Sequence, residues 1–189
     1  MSEWEHHSGL HAVLGEAQRV GALGRAPINE VIRHALAFVD AMPLDTHTCV
    51  DLGTGAGVPG LVLAVVRPDL HVTLVDRREK RTDALHRAVR ALGVESTTEI
   101  VCAEVETLVA NPSWKWRFDA AVSRGFGPPS FTLTMSSVLV RSGGVVVISE
   151  PPVDLPSRWS AELLREADVI SWERLGAVSM FHVEHHQPN

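Results

Sequence analysis

A short apolar strand followed by a glycine-rich turn constrains the fold of this chain more than any other feature. The strand covers Thr48–Leu52, and four glycines occur in the eight residues Gly53–Gly60. Glycine adopts backbone conformations that other residues avoid, so the main chain can turn sharply here and approach a ligand closely. The apolar residues 61–66 then predict a buried helix. This succession of strand, glycine turn and helix is typical of the nucleoside-binding edge of a parallel α/β sheet.

The rest of the chain alternates strand-like and helix-like segments. Apolar, β-branched runs predict strands over 48–52, 71–75, 98–102, 118–122 and 144–149. Periodic apolar positions predict helices over 58–66, 78–92, 103–109, 129–140 and 159–167. Two further strands are predicted over 169–175 and 177–183, joined at Gly176. This order predicts an α/β fold with a doubly wound, mostly parallel seven-stranded sheet.

Two amphipathic helices are predicted before the first strand. Apolar residues at three- and four-residue spacing within 10–23 predict one helix, and Pro27 opens a second that ends near Met42. Arg33 and His34 lie off the apolar stripe of the second helix. They could reach a substrate, although a solvated surface position is the simpler prediction.

Length and composition indicate one globular domain. Hydrophobic residues make up 45% and charged residues 21% of 189 residues, unlike a disordered chain. The net charge of -6 argues against a general nucleic-acid binder, so any nucleic-acid contact must be local. We expect a single domain over 1–189, with an N-terminal helical segment 1–43, a Rossmann-like core 44–183 and a frayed tail 184–189.

The sequence also predicts a cellular location. The first residues lack the basic region and apolar core of a signal peptide, and no apolar run approaches membrane-spanning length. Cys49 and Cys102 both lie in apolar strand-like runs, where cysteine usually behaves as a small hydrophobic residue. We therefore expect a soluble, cytoplasmic protein.

Acidic residues mark two successive predicted strands. Asp51 lies at the lip of the glycine turn, and Asp76 ends the next strand. The acids and glycines together predict a nucleoside-cofactor site in which Asp76 holds the ribose hydroxyls. A dinucleotide is one candidate cofactor, because Gly55-x-Gly57-x-x-Gly60 matches its pyrophosphate-binding fingerprint. A nicotinamide-dependent oxidoreductase is therefore one alternative function.

S-adenosylmethionine is the other candidate, and the residues favour it. The carboxylate of Asp51 attracts the ammonium of this cofactor, whereas it would repel a pyrophosphate. Ala103 and Glu104, at the end of the third strand, are placed to frame an adenine. A strand pair after five parallel strands is expected of methyltransferases rather than of the second nucleotide half of a dehydrogenase. The predicted cofactor is therefore S-adenosylmethionine.

These motifs resemble the RsmG (GidB) family, methyltransferases that modify a guanine at N-7 in 16S ribosomal RNA. The resemblance covers about 28–150 and is carried by the segments 50–60, 67–68, 74–76, 80–81, 103–104, 118–119 and 123–124. It implies that Gly53 and Val58 line the methyl donor, that Ala103 and Glu104 contact its adenine, and that Arg124 lies at its methionine end or at the pocket rim. It also implies the class I methyltransferase fold, with ribosomal RNA or the small ribosomal subunit as partner.

The predicted cofactor-binding residues are Asp51, Gly53, Gly55, Gly57, Val58, Asp76, Ala103, Glu104 and Arg124. No catalytic acid or base is assigned, because a guanine ring nitrogen is already a nucleophile and its methylation depends on orientation. Arg124 is the strongest candidate for a pocket-rim residue whose loss abolishes activity. A structural ion pair of Arg124 with Asp119 or Asp76 is the alternative.

Two departures from the family pattern leave a second function open. The chain lacks the asparagine-leucine-threonine motif of the family, and Glu150 stands near a position where a lysine is common. An acid there would repel a phosphate. A diverged relative with another acceptor, or with a binding role only, is therefore the alternative. The Pro-bearing loops 125–130 and 150–157 are expected to form the substrate wall.

Two other clusters have simpler explanations than a site. The histidines and glutamate within 182–186 could suggest a metal, but strand alternation divides them between faces, so no metal is predicted. Trp114 and Trp116 could stack a base, although they are more simply explained as caps of a sheet edge.

Overall fold

The computed structural model describes residues 3–152 and 157–185, and its elements follow the order predicted from the sequence. The strands are β1 Thr48–Leu52, β2 His71–Asp76, β3 Thr98–Cys102, β4 Phe118–Ser123, β5 Val140–Ser149, β6 Val169–Leu175 and β7 Val178–Val183. The helices are α1 Ser8–Arg19, α2 Ile28–Ala41, α3 Gly60–Val66, α4 Glu79–Leu92, α5 Val105–Ala110, α6 Pro129–Leu139 and α7 Ala161–Glu166. A short 3-10 helix, Glu3–His6, precedes α1.

The strands form a seven-stranded sheet in the order β3-β2-β1-β4-β5-β7-β6. The pairs among β1 to β5 are parallel, and β7 runs antiparallel to both β5 and β6. The order reverses between β1 and β4, and the carboxyl ends of these strands flank the point where open α/β sheets bind ligands. The predicted doubly wound, mostly parallel fold is confirmed.

Helices cover both faces of the central strand β1, which explains its apolar sequence. Cys49 packs with residues of α2, α3 and α4, whereas Val50 and Leu52 pack with residues of α5, α6 and α7. Asp51 is the exception in this strand, because it is an acid whose side chain is fully buried. Charged residues are almost never fully buried without partners, so the contacts of Asp51 have to be accounted for.

The structure moves several of the predicted boundaries, among them the starts of α3, α5, α7 and β5. The helix α3 begins at Gly60 rather than at position 58. The strand β5 begins at Val140, immediately after α6, rather than at position 144. Val140 pairs with Phe118, but the next pair joins Val145 to Ala120, so β5 bulges in between. The glycines at 143 and 144 lie in this bulge, which interrupted the apolar pattern and hid the first part of the strand.

Glu184 and His185, which were predicted to begin a frayed tail, make polar contacts with the fold. The Glu184 N–H donates to the Asp168 carbonyl at 2.9 Å. The His185 ring lies between two acceptors, with Nδ1 2.9 Å from the Asp168 carboxylate and Nε2 2.8 Å from the Val140 carbonyl oxygen. Polar contacts of this kind leave no hydrophobic periodicity in a sequence, so the pattern could not show them. Residues 186–189 lie outside the described residues.

Candidate active site

The carboxyl ends of the central strands surround a cavity of about 450 Å³. This volume lies within the range of about 300–1,000 Å³ that is typical of small-molecule sites. Four of the predicted site residues line it: Gly53, Asp76, Ala103 and Glu104. We call this space the donor cavity. The other predicted residues are not among those lining it: Asp51, Gly55, Gly57, Val58 and Arg124.

Asp76 lies in the wall of the donor cavity and joins β2 to the glycine turn. The backbone N–H groups of Gly55 and Arg78 donate to its carboxylate at 3.1 and 2.9 Å. Arg81 Nη1 lies 3.1 Å from the same oxygen that Gly55 contacts, and the Asp76 side chain is 4% exposed. The Asp76 carboxylate is thus held in the wall of the cavity, and the partly exposed Arg81 is its cationic partner.

Asp51 lies beneath the glycine turn and not at its lip. The Thr54 hydroxyl and the Gly60 N–H donate to its Oδ2 at 2.6 and 2.8 Å, which ties the end of β1 to the start of α3. A Cβ atom on Gly60 would lie 2.7 Å from the same oxygen, so this approach requires glycine. The other oxygen, Oδ1, is buried and has no hydrogen-bond partner among the described residues.

The surroundings of Asp51 shift its acidity. Burial raises its pKa from 3.8 to about 6, against the hydrogen bonds from Thr54 and Gly60 and the charge of Arg124. The nearby charge of Asp76 adds to the rise. At neutral pH the group is therefore mostly ionised, with one buried oxygen that has no partner among the described residues. Such an atom is unfavourable by itself and favourable beside a cationic ligand group.

Arg124 follows β4 and interacts electrostatically with Asp51 and with His34 of α2. Partial burial lowers the pKa of Arg124, and the charge of Asp51 opposes this shift. Burial, followed by the charge of Arg124, also lowers the pKa of His34, so its ring is neutral at pH 7. His34 Nδ1 is buried without a hydrogen-bond partner in the described part of the chain. Asp51, Arg124 and His34 therefore lie in one region, and each can make further hydrogen bonds or ion pairs.

The predicted alternative for Arg124, an ion pair with Asp76 or Asp119, is wrong. Asp76 pairs with Arg81. Asp119 pairs with Arg141 at 2.6 Å. Within the described residues no carboxylate oxygen lies within ion-pair distance of Arg124, which leaves its charge for a ligand.

Val58, which the resemblance placed beside the methyl donor, is 5% exposed and packs with residues of α1 and α2. Gly55 contributes through its N–H to Asp76. The backbone of Gly57 has a φ of 89°, within the turn. These three residues therefore shape the turn around the donor cavity.

Phe126 separates the donor cavity from a second cavity of about 270 Å³, and it lines both. Its ring lies so close to Gly53 that a Cβ atom there would be 2.2 Å from Phe126 Cδ2. The second cavity is bounded by residues of both loops that were expected to form the substrate wall, including Gly127 and Glu150. We call it the acceptor cavity. Residues 153–156 of the second loop lie outside the described residues.

The expectation that Glu150 presents a repelling charge is wrong. Its side chain is 4% exposed, and Arg158 Nε lies 3.3 Å from its carboxylate. The indole N–H of Trp159 donates to its other oxygen. The negative charge of Glu150 is therefore balanced by the guanidinium of Arg158. No sequence pattern indicates this pairing, because the segment between Glu150 and Arg158 is rich in proline and has no apolar periodicity.

Trp114 and Trp116, which could have stacked a base, pack against other aromatic rings of the fold. Trp114 packs on Phe118 with ring centroids 5.9 Å apart, at the start of β4 and so at the opposite edge of the sheet from the donor cavity. Trp116 is half exposed and lies 5.1 Å from the ring of His185.

No group of three or more His, Cys, Asp or Glu in the described ranges could hold a metal; His186 lies outside those ranges. No helix in residues 3–152 and 157–185 is long and apolar enough to cross a membrane.

Comparison with known proteins shows the family. Residues 14–150, more than half of the chain, match the family described as GidB, rRNA small subunit methyltransferase G. The chain belongs to this family. It is 38% identical over 103 residues to the ribosomal RNA small subunit methyltransferase G of Yersinia pseudotuberculosis serotype O:3, covering 54% of this chain and 48% of the relative. It is 33% identical over 130 residues to the protein of that name from Deinococcus deserti, covering 65% and 52%. The chain thus spans about half the length of the curated relatives it matches.

Solved structures with this fold include other proteins named as methyltransferases. A putative O-methyltransferase from Klebsiella pneumoniae superposes with a TM-score of 0.68 at 13% identity, covering 94% of this chain and 90% of that one. Cofactor-bound Rv0187 from MTB gives the same TM-score at 15% identity, with the same coverage. At these identities the likeness shows the fold alone, and it agrees with the predicted class.

Proposed function

We propose that this chain is an S-adenosylmethionine-dependent methyltransferase that methylates N-7 of a guanine in 16S ribosomal RNA. One observation carries the cofactor assignment: the buried, unpaired Oδ1 of Asp51 lies in the same region as the unpaired cation of Arg124. The methionine end of the cofactor bears an ammonium and a carboxylate, which complement these two charges. A pyrophosphate offers Asp51 no cation, and the family match does not favour the nicotinamide-dependent alternative.

The donor cavity suits the nucleoside half of the same cofactor. Asp76 would accept hydrogen bonds from the ribose hydroxyls, which requires Arg81 to share or release the carboxylate. Ala103 and Glu104 line the part of the cavity that would frame the adenine. Gly53 would let the backbone approach the cofactor closely at the junction with the region of Asp51. The predicted site residues thus act partly by contact and partly through the shape of the turn.

Bound S-adenosylmethionine supplies a methyl group on a positively charged sulfur. Guanine N-7 has a lone pair and loses no proton when it is methylated, so no side chain has to act as a general base. The residues of this chain instead hold the reactants in line and exclude water. Phe126, at the junction of the two cavities, is placed to exclude water from the path between them. Family membership supports the guanine acceptor, with the small ribosomal subunit as partner and the cytoplasm as location.

Methyl transfer from tritiated S-adenosylmethionine to small ribosomal subunits tests the proposal. The subunits are prepared from a strain without the methyltransferase of this family, so that the guanine is unmodified. We expect label at a single guanine N-7 and none after Arg124→Ala substitution. Cofactor binding without transfer would favour the diverged relative with another acceptor. Calorimetric binding of NAD with no response to S-adenosylmethionine would overturn the cofactor assignment.

A further inference from the structure

The acceptor cavity contains a cation that the sequence pattern did not reveal. Arg158 lines this cavity beside the loop that carries Phe126, and its side chain is 31% exposed. We propose that Arg158 binds a phosphate of the acceptor nucleotide and so positions the guanine. This inference rests on the proposed function, because it assumes that a nucleotide enters this cavity.

The guanidinium of Arg158 is held on three sides. Its Nη2 donates to the Ser149 carbonyl oxygen, and its Nε lies 3.3 Å from the Glu150 carboxylate. Its central carbon lies 4.8 Å from the centre of the Trp159 ring, a cation–π contact. A planar group fixed in this way loses little conformational freedom on binding. The arginine is thus preorganised in the wall of the cavity.

Glu150, which holds Arg158, is itself fixed. Its backbone N–H donates to the Ala177 carbonyl oxygen at 2.8 Å, in the turn between β6 and β7. Arg174 donates to the carbonyl oxygen of Pro151, the next residue. Both residues line the cavity, but the Glu150 side chain is 4% exposed and that of Arg158 is 31% exposed, so the cation is the more accessible of the two charges. The acid near the end of β5 therefore orients a cation.

Arg158 keeps donors for a ligand. Its Nη1 has no hydrogen-bond partner among the described residues. Arginine binds phosphate oxygens through short, charge-assisted hydrogen bonds. The chain carries a net charge of -6, so its affinity for a polyanion has to come from such local cations.

The chemistry of the proposed reaction selects a phosphate over a base edge. Arginine usually reads guanine by donating to O6 and N7. Such a contact would cover N-7, the atom that has to receive the methyl group. A contact to the phosphate leaves N-7 free. Because Phe126 lines both cavities, a nucleotide with its phosphate at Arg158 has its base beside the donor cavity. The volume of about 270 Å³ also suits part of a nucleotide rather than a whole cofactor.

The experiment compares Arg158→Gln with Arg165→Gln in the methyl-transfer assay with unmodified small ribosomal subunits. Arg165 is an exposed residue of α7, so its substitution removes the same charge away from the cavity. For Arg158→Gln we expect KM for the subunit to rise about tenfold, which corresponds to about 1.4 kcal/mol of binding. The dependence of KM on salt should weaken, because one phosphate contact is lost. The Kd of Arg158→Gln for S-adenosylmethionine should be unchanged. Arg165→Gln should have both the KM and the Kd of the unsubstituted protein.

Two further variants separate a phosphate contact from a loss of structure. Arg158→Lys keeps the charge and should recover part of the affinity. The double variant Glu150→Gln with Arg158→Gln removes the acid that the single variant leaves unpaired, while the glutamine oxygen can still accept the Trp159 N–H. If Arg158 contacts phosphate, the double variant stays impaired. The inference fails if the double variant has the KM of the unsubstituted protein, or if Arg158→Gln and Arg165→Gln have the same KM for the subunit. The proposed function stands in both cases. An absence of transfer in the unsubstituted protein would instead overturn the proposed function.

Discussion

The two oxygens of the Asp51 carboxylate have different surroundings. Oδ2 accepts two hydrogen bonds and fixes the turn, whereas Oδ1 is buried without a partner in the described structure. An apolar residue at this position would suit the centre of β1 better, since both faces of the strand are covered. The buried charge is therefore unfavourable for folding, and it becomes useful when a ligand brings a cation to Oδ1.

The first prediction concerns the pH dependence of cofactor binding. Because burial raises the pKa of Asp51 to about 6, the group is largely neutral at pH 5 and ionised at pH 7. Only the ionised form attracts an ammonium, so the affinity for S-adenosylmethionine should increase several-fold between these two values. Calorimetry at pH 5, 6 and 7 measures this change. Asp51→Asn should bind weakly and with little pH dependence, and a similar rise in the variant would contradict the assignment.

The second prediction concerns stability. The pKa of Asp51 is higher in the folded protein than its ordinary value of 3.8, so the folded state binds more protons between pH 4 and 6. The contribution of this residue to stability therefore falls as pH rises through that range, by about 3 kcal/mol. Asp51→Asn keeps an oxygen for Thr54 and Gly60 but cannot ionise. Urea unfolding of both proteins at pH 4 and pH 7 should show the variant gaining about 2–3 kcal/mol relative to the original. An unchanged difference would show that the carboxylate is not buried as described.

At the scale of elements, the glycine turn and the loop after β4 form one unit. Gly53 has a φ of 66°, and the Phe126 ring occupies the space where its Cβ would lie. The turn therefore fixes the ring that separates the two cavities. A change in the turn should affect the cofactor and the acceptor together, although they bind in different cavities.

Gly53→Ala tests this connection. The substitution adds about 1–2 kcal/mol of backbone strain and also displaces Phe126. We expect affinity for S-adenosylmethionine to fall at least tenfold. Gly143→Ala is the matched control, because Gly143 has a φ of 76° but lies in the bulge of β5, and its nearest contact is a flexible arginine end at 3.6 Å. Gly143→Ala should lose about as much stability as Gly53→Ala but keep its affinity for S-adenosylmethionine. If both variants lose the same affinity, backbone strain alone explains the effect and the contact with Phe126 does not.

The elements were predictable because each has a local signature, but several side-chain partnerships were not. Periodicity located the strands, and the spacing of glycines and acids placed Asp76 beside the turn. Glu150 looked like a free acid, because its partner follows a loop whose path no pattern encodes. Phe126 gave no signal either, since a lone aromatic residue between glycines can pack in many ways. The electrostatic interaction of Asp51 with Arg124 depends on β1 and β4 being neighbours, which the connection order implies only once the sheet is assembled.

At the scale of the whole molecule, the carboxyl and amino ends of the parallel strands have different roles. The carboxyl end of the sheet carries the donor cavity, the acceptor cavity and the unpaired charges of Asp51 and Arg124. The amino edge is held by Asp119, which accepts hydrogen bonds from the backbone N–H groups of His47 and Thr48 at 3.0 and 2.8 Å. The Thr48 hydroxyl and Arg141 also donate to it, at 2.9 and 2.6 Å. Asp119 thus fastens β1 to β4 at the end remote from the site.

This division predicts that Asp119→Asn lowers stability without changing cofactor affinity. Partial burial raises the pKa of Asp119, but the hydrogen bonds from Arg141, His47 and Thr48 outweigh it and lower the pKa to about 2. The contribution of a lowered carboxyl pKa is complete above pH 4 and is lost as pH falls through 2. The shift from 3.8 corresponds to about 2 kcal/mol, and urea unfolding at pH 7 should show a loss of this size. Calorimetry should give the same Kd for S-adenosylmethionine as the original protein, whereas Asp51→Asn should show the reverse pattern. A loss of cofactor affinity in Asp119→Asn would mean that the two edges of the sheet are coupled.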